Sequence, residues 1–222
     1  MLRSAARLCQ RRPAGAAASP AAAPLAAAGA QRLSSSSAAV ASPLKDNYGL
    51  WIGGEEVPSE SGALIPVENP LDGSILTHVS GATEKDVEKA VSVATEAFED
   101  GRWSGMQPAA RARVMNKTAE LLRARIPEMA AIESLTTGRP IREYNAQLGR
   151  VPEWFEYHGA LAQTHEGSVP PFGDPDHLCY VKRVPLGVCG LVTPWNHPLL
   201  IASKKISVCL AAVSTQAISR CL

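Results

Sequence analysis

The one stretch of this chain whose residue types and spacing suit chemistry is Thr193-Pro194-Trp195-Asn196-His197-Pro198. Asn196 carries a neutral carboxamide, which donates a hydrogen bond and is not deprotonated by a neighbouring nucleophile. Two prolines frame it. Pro194 fixes its own φ and pushes Thr193 towards an extended conformation, so the segment reads as a rigid turn. Before it, Gly187–Val192 is an uncharged apolar run, predicted to be a strand buried on both faces of a parallel sheet. After it, Leu199–Lys205 has the character of the first turns of a helix. The unit is therefore strand, turn, helix. In open parallel sheets ligands bind at the carboxyl ends of strands, which is where this turn falls.

The elements that must position this unit lie upstream. Residues 48–70 read as short strands joined by turns, with Gly53-Gly54 as a hairpin signal and Asn69-Pro70 and Asp72-Gly73 as further turns. Residues 83–100 form an amphipathic helix. Thr83 and Asp86 are spaced as a capping box, Val87, Ala90, Val91, Ala94 and Phe98 fall on one face, and Gly101 is the stop. A second helix spans 108–125, with Val114, Thr118, Leu121 and Leu122 facing inward. A third starts at Pro127 and stops at Gly138. Residues 141–164 have helical period through Tyr144, Leu148, Val151, Phe155, His158 and Ala162, with a bend or restart at Pro152. Trp154, Phe155 and Tyr157 read as core. Residues 166–183 turn to β character.

Three segments together resemble the aldehyde dehydrogenase superfamily. They are P-W-N-x-P at Pro194–Pro198, preceded by P-L-G-V-C-G; ESLTTGRP at Glu133–Pro140, similar to E-x-x-x-x-G-[KR]-P; and the N-P-x-[TD]-G turn within Val67–Gly73. The resemblance covers about Leu44 to Ala212. It implies an incomplete α/β fold: N-terminal helices plus the first part of a Rossmann-type parallel sheet, with a β excursion to an oligomerisation sheet. The implied domains are a transit peptide at 1–42, an arm and helical part of the cofactor domain at 43–165, and oligomerisation strands at 166–184. The first strand-turn-helix of the cofactor domain follows at 185–212, and a divergent tail at 213–222.

The resemblance also implies a reaction, NAD(P)-dependent oxidation of an aldehyde to a carboxylic acid. In that chemistry a thiolate attacks the carbonyl, the oxyanion passes a hydride to nicotinamide, and a carboxylate-activated water cleaves the thioester. Asn196 matches the oxyanion donor, although the same side chain could instead serve only to close its turn. Thr193, Pro194, Trp195 and Asn196 match positions that touch NAD or NADP, mostly through backbone. Lys205 matches a lysine near the family's active site that assists proton movement; as a residue alone it reads equally as a solvated helix lysine. Glu133 reads as helix packing or an ion pair rather than catalysis.

The rest of that chemistry has no counterpart in these 222 residues. No G-Q-x-C nucleophile segment, E-L-G-G-K general-base segment or G-S-T pyrophosphate turn occurs, and no G-x-G-x-x-G replaces them. Near Val213, where the family continues with Gly-Asn and a lysine strand, this chain reads VSTQAISRCL. The expectation is a truncated form, inactive alone. The alternative is a non-catalytic form that associates with full-length subunits or forms a homo-oligomer.

Composition narrows the remaining choices. Residues 1–45 hold five Arg and Lys45 and no acid, whereas the body from Asp46 onward carries 16 basic against 21 acidic residues. The leader fits an organelle transit peptide and the mitochondrial matrix, with a plastid as the alternative. No basic patch interleaved with aromatics suggests nucleic acid. The Ala-rich run between Arg12 and Arg32 is broken by Pro13, Pro20 and Pro24 and is no membrane span. The five cysteines lack C-x-x-C spacing, and the five histidines lack metal-ligand spacing, so no metal is expected.

Overall fold

The computed structural model describes residues 44–220. The expected transit peptide at 1–42 lies outside them.

The N-terminal part is built from local turn chemistry. Strands β1 (Asn47–Tyr48), β2 (Leu50–Ile52) and β3 (Glu55–Val57) come first, then β4 (Leu64–Glu68) and β5 (Ile75–Ser80). β2 and β3 form an antiparallel hairpin closed by Gly53-Gly54, both at positive φ (67° and 89°), the conformation that a two-residue hairpin turn demands. β4 and β5 pair antiparallel, and β1 joins β5 in parallel, giving the order β1-β5-β4. Asn69 and Asp72 accept hydrogen bonds from the amides two residues on, Leu71 and Ser74, which shapes the β4–β5 connection.

Helix α1 (Glu84–Glu99) starts on a complete capping box. Asp86 donates its amide to Thr83 Oγ1 and accepts the Thr83 amide at 2.8 Å on Oδ2. The same carboxylate takes the Ser59 hydroxyl at 2.8 Å and the Glu60 amide, which ties the 58–62 turn to the helix. The expected inner face is only partly covered: Ala94 is buried, but Val87 and Val91 are substantially exposed.

Two sequence expectations for the next segment are corrected. Helix α2 (Pro108–Thr137) runs unbroken through Pro127, where a stop and restart were expected. A proline here removes one intrahelical hydrogen bond, but strong helix formers flank it and an Arg125–Glu128 ion pair at 3.0 Å spans it. The buried face also differs. Ala112, Met115 and Ala119 point inward, whereas Val114 and Leu121 are exposed. The reason is close approach by a neighbouring helix: a Cβ added to Gly159 would lie 3.3 Å from Met115 Cβ. Met115 and the Ala112 backbone line that contact, so the face they share is the one that is buried.

Helices α3 (Ile141–Leu148) and α4 (Arg150–Leu161) follow, separated at Gly149. The break falls three residues before Pro152, which then sits in the first turn of α4, where its missing N–H costs nothing. Tyr144, Leu148, Val151, Phe155 and Ala162 are buried as their period predicts. Tyr157 is 60% exposed and is not core.

Residues 166–184 do not form a ladder. A single antiparallel bridge joins Ser168 and Val181. Strand β6 (Val188–Thr193) and helix α5 (Pro198–Ala211) complete the strand-turn-helix unit. The backbone then enters β7 (Thr215–Arg220), which pairs with β6 in parallel from Val188↔Thr215 to Thr193↔Arg220. Residues 215–220 of the expected tail thus contribute a second parallel strand. Burial of β6 is less complete than its apolar sequence predicts. Thr193 is buried, but Gly190 and Val192 are exposed.

The core has two linked parts. Ala130, Tyr144, Leu148 and Val151 pack with Leu199 and Leu200 beneath the start of α5. Met115, Ala119 and Phe155 pack with Trp103, Ile206 and Leu210 further along it. The Trp103 indole also donates to the Leu210 carbonyl at 3.0 Å, which accepts the Val213 amide as well at 3.1 Å, and so ties the 101–106 loop to the end of α5.

Candidate functional site

The turn Pro194–His197 leaves the carboxyl end of β6 and enters α5. Asn196 and Trp195 are exposed there, Trp195 at 65%. Thr193, one residue earlier, is 3% exposed and anchors the end of the strand. The Lys205 ammonium, from the second turn of α5, donates to the Val192 carbonyl. Thr193, Pro194, Trp195, Asn196 and Lys205 are therefore gathered at one edge of the parallel sheet. Among the described residues the Asn196 carboxamide has no hydrogen bond, so it does not close its own turn and its N–H2 is free to donate.

Helix α5 begins with an unusual cap. His197 at the N-cap offers no side-chain hydrogen bond, and Pro198 at the first helical position has no N–H. The first orphan amide is Leu199, which donates to Glu133 Oε1 of α2 at 2.6 Å. A carboxylate beside a helix N-terminus gains from both the hydrogen bond and the macrodipole. Glu133 thus supplies from a distant helix the cap that the turn lacks.

The ESLTTGRP segment sits directly under this turn. Thr137 Oγ1 donates to the Glu133 carbonyl at 2.6 Å and accepts from the Tyr144 hydroxyl at 2.7 Å, and that hydroxyl lies 3.4 Å from the Asn196 carbonyl. His197 meets the Tyr144 ring edge-on at 6.2 Å, with Arg139 over the same ring at 6.0 Å. Burial raises the pKa of Tyr144; burial and then the Arg139 charge lower that of His197. Both are neutral at pH 7.

Gly138 ends α2 at φ 74°, a left-handed cap, and a Cβ there would stand 2.9 Å from Pro70 Cγ. Glycine is required at 138 for both reasons. The Asn69-Pro70 turn, the Glu133–Pro140 segment and the Pro194–Pro198 turn, far apart in sequence, therefore pack in one succession. Tyr144, Thr137 and the capping role of Glu133 were not marked by the sequence as parts of this site. Helical period placed Tyr144 in the core, and nothing local reveals where its hydroxyl points.

Among the described residues no group of three or more His, Cys, Asp or Glu is placed to hold a metal ion. None of the described helices is long and apolar enough to cross a membrane. Cys209 is buried in α5 beside Cys189, and burial followed by that neighbour pushes its thiol up to about 12. It is a poor nucleophile at neutral pH.

Comparison with known proteins matches this arrangement to one family. The aldehyde dehydrogenase family model matches residues 57–218. Betaine aldehyde dehydrogenase of Bacillus subtilis is 37% identical over 166 residues, covering 75% of this chain and 34% of the relative. Cytosolic 10-formyltetrahydrofolate dehydrogenase of Mus musculus is 37% identical over 176 residues, covering 78% and 20%. Among solved structures, an NAD-dependent aldehyde dehydrogenase from Sinorhizobium meliloti superposes with a TM-score of 0.75 at 34% identity, over 78% of this chain and 35% of that one. A betaine aldehyde dehydrogenase from Staphylococcus aureus, solved in complex with NAD+, gives 0.75 at 30% identity, over 78% and 34%. The chain spans about a third of the length of these dehydrogenase structures, with an incomplete α/β fold of their type. With the family model covering most of its length and its three motif segments packed in succession beneath and within the turn at β6, the chain belongs to the aldehyde dehydrogenase family.

Proposed function

We propose that this chain carries the oxyanion donor and one lip of the cofactor site for NAD(P)-dependent oxidation of an aldehyde to a carboxylic acid. The observation that supports this best is the exposed, unpaired carboxamide of Asn196 on a turn held at the carboxyl end of a parallel strand. A preorganised neutral donor at such an edge stabilises negative charge on a carbonyl oxygen and needs no reorganisation when that charge develops. Thr193, Pro194 and Trp195 fit one side of a nicotinamide: they run along the ligand edge of the sheet, and Trp195 leaves its face open. NAD or NADP, when bound, supplies the hydride acceptor. Lys205, held on the Val192 carbonyl, stands at the same edge as a proton-bearing group.

The 222 residues contain no G-Q-x-C segment and no E-L-G-G-K segment. By themselves they therefore supply neither the thiolate nor the general base, and this polypeptide alone is inactive. Two proteins test the reading together. The purified 222-residue chain forms no NADH with aliphatic or aromatic aldehydes. A chimera in which residues 57–218 replace the matched segment of the Bacillus subtilis betaine aldehyde dehydrogenase forms NADH with betaine aldehyde. Turnover by the chain alone, or a folded chimera without turnover, contradicts the reading.

A second reading is a non-catalytic partner of longer family subunits. The 166–186 arm favours it, since Val169, Phe172, Leu178, Tyr180 and Leu186 are all more than half exposed. Copurification of the chain with a longer family subunit, lost when Phe172 and Leu178 become Ser, is its test. The leader's Arg3, Arg7, Arg11 and Arg12 at helix-like spacing favour import into the mitochondrial matrix over a plastid. Residues 1–45 fused to a fluorescent protein are expected to reach mitochondria, and a purely cytosolic signal contradicts that address.

A further inference from the structure

Arg111 stands apart from the other charged groups of this chain. It is 6% exposed, and no other basic side chain described is buried. Its Nη1 donates to the Met106 carbonyl, and its buried Nε has no hydrogen-bond partner among the described residues. Arg102, Arg123, Arg125 and Arg139 each pair with an acid at less buried positions. Arg111 pairs with none. The 21 acidic residues of the chain all lie between Asp46 and Asp176, within the described residues, and burial alone, with no acid acting against it, lowers the pKa of Arg111. A guanidinium still keeps its proton at neutral pH. One carbonyl does not compensate a buried cation for the water it has left. An apolar side chain would carry no such cost, and Met115, one turn further along the same face, is packed there at 1% exposure.

The helix start beside Arg111 is equally short of negative charge. Helix α2 opens on Gln107, whose side chain makes no cap, and then on Pro108, and its first turn holds no acid. Met106, whose carbonyl holds the guanidinium, precedes Gln107, so Arg111 folds back over that end of the helix. The positive end of a helix and a guanidinium repel one another, and a carboxylate placed between them satisfies both. We propose that the start of α2, with the Arg111 guanidinium folded over it, is the docking point for an acidic side chain of a longer aldehyde dehydrogenase subunit, which completes a buried ion pair that these 222 residues leave open. The matched residues span 34% of the Bacillus subtilis relative, so most of such a subunit lies outside them. The pairing follows from family membership and is independent of the role of Asn196.

One substitution with opposite effects in two proteins tests the pairing. In the full 222-residue chain, Arg111→Met removes an uncompensated charge and is expected to raise the urea midpoint by about 0.5–1 M. In the betaine aldehyde dehydrogenase chimera it strands the partner carboxylate and is expected to lower the thermal unfolding midpoint, read by circular dichroism, by several degrees. Arg111→Gln, which keeps a donor for the Met106 carbonyl and no charge, is expected to shift each protein in the same direction as Arg111→Met. A crystal structure of the chimera is expected to show a carboxylate oxygen within about 4 Å of an Arg111 guanidinium nitrogen. Destabilisation of the chain alone by both variants shows that Arg111 is already satisfied there and overturns the proposal. So does a chimera that is unchanged or stabilised, or one whose structure holds no carboxylate at Arg111. Inorganic phosphate that raises the urea midpoint of the unsubstituted chain and not of Arg111→Met would assign the site to a free anion, and that also overturns a docked side chain.

Discussion

Two irregular segments of this chain are alike in composition and opposite in order. The turn at 193–198 and the arm at 166–186 are both rich in proline. Groups from three helices meet the turn or its flanks: Glu133 from α2 takes the Leu199 amide, Lys205 from α5 donates to the Val192 carbonyl, and the Tyr144 hydroxyl from α3 lies 3.4 Å from the Asn196 carbonyl. Beneath it lies the cluster of Leu148, Val151 and Leu199. The arm has one bridge, Ser168 to Val181, and leaves Leu178 79% and Leu186 89% exposed. Proline alone does not order a loop. Side-chain polar groups from distant elements, set on a packed floor, do so.

That contrast predicts very unequal costs for one kind of truncation. Leu148→Ala removes the floor of the turn and is expected to destabilise the chain by about 2–5 kcal/mol. Leu178→Ala, in the arm, is expected to stay within about 0.5 kcal/mol. Urea unfolding of the two variants checks this. Equal losses would show that the arm packs on the body as firmly as the turn does.

A smaller effect separates the N-terminal anchor from both segments. The Thr83 amide, then the Ser59 hydroxyl and Glu60 amide, lower the pKa of Asp86 to about 2 in the fold. Its ordinary value is near 4, so the unfolded chain takes up this proton first. Its contribution to stability is therefore complete above about pH 4 and is lost as pH falls towards 2. Asp86→Asn is expected to flatten the dependence of the urea midpoint on pH in that window. An unchanged slope would show that the Thr83, Ser59 and Glu60 contacts do not lower the Asp86 pKa in the fold.

Legibility in the sequence followed the range of the interactions. The capping box at Thr83, the Gly53-Gly54 hairpin and the strand, turn and helix around Asn196 all rest on neighbours within a few residues, and each could be read directly. The continuity of α2 through Pro127 was hidden because flanking propensity outweighs one lost hydrogen bond. Its buried face was misread because α4 packs on the face that carries Ala112, Met115 and Ala119, through Gly159 and Phe155, and leaves Val114 and Leu121 outside. At the site, residue types marked Asn196 and Lys205, but the contacts from Glu133 and Tyr144 span 66 and 52 residues. No local pattern announces a contact of that range. The second parallel strand, Thr215–Arg220, was missed for a related reason: its sequence departs from the family pattern while its backbone takes the neighbouring position beside β6.

The account centres on Asn196 as a donor to a developing oxyanion, and one comparison tests that most directly. Steady-state kinetics of the betaine aldehyde dehydrogenase chimera are measured with Asn196 and with Asn196→Ala, under saturating NAD. A donor that acts in the transition state predicts a fall in kcat of about 10²–10³, with the KM for NAD little changed. A kcat within a factor of two or three of the unsubstituted chimera, in a protein of undiminished stability, would mean that Asn196 only shapes its turn.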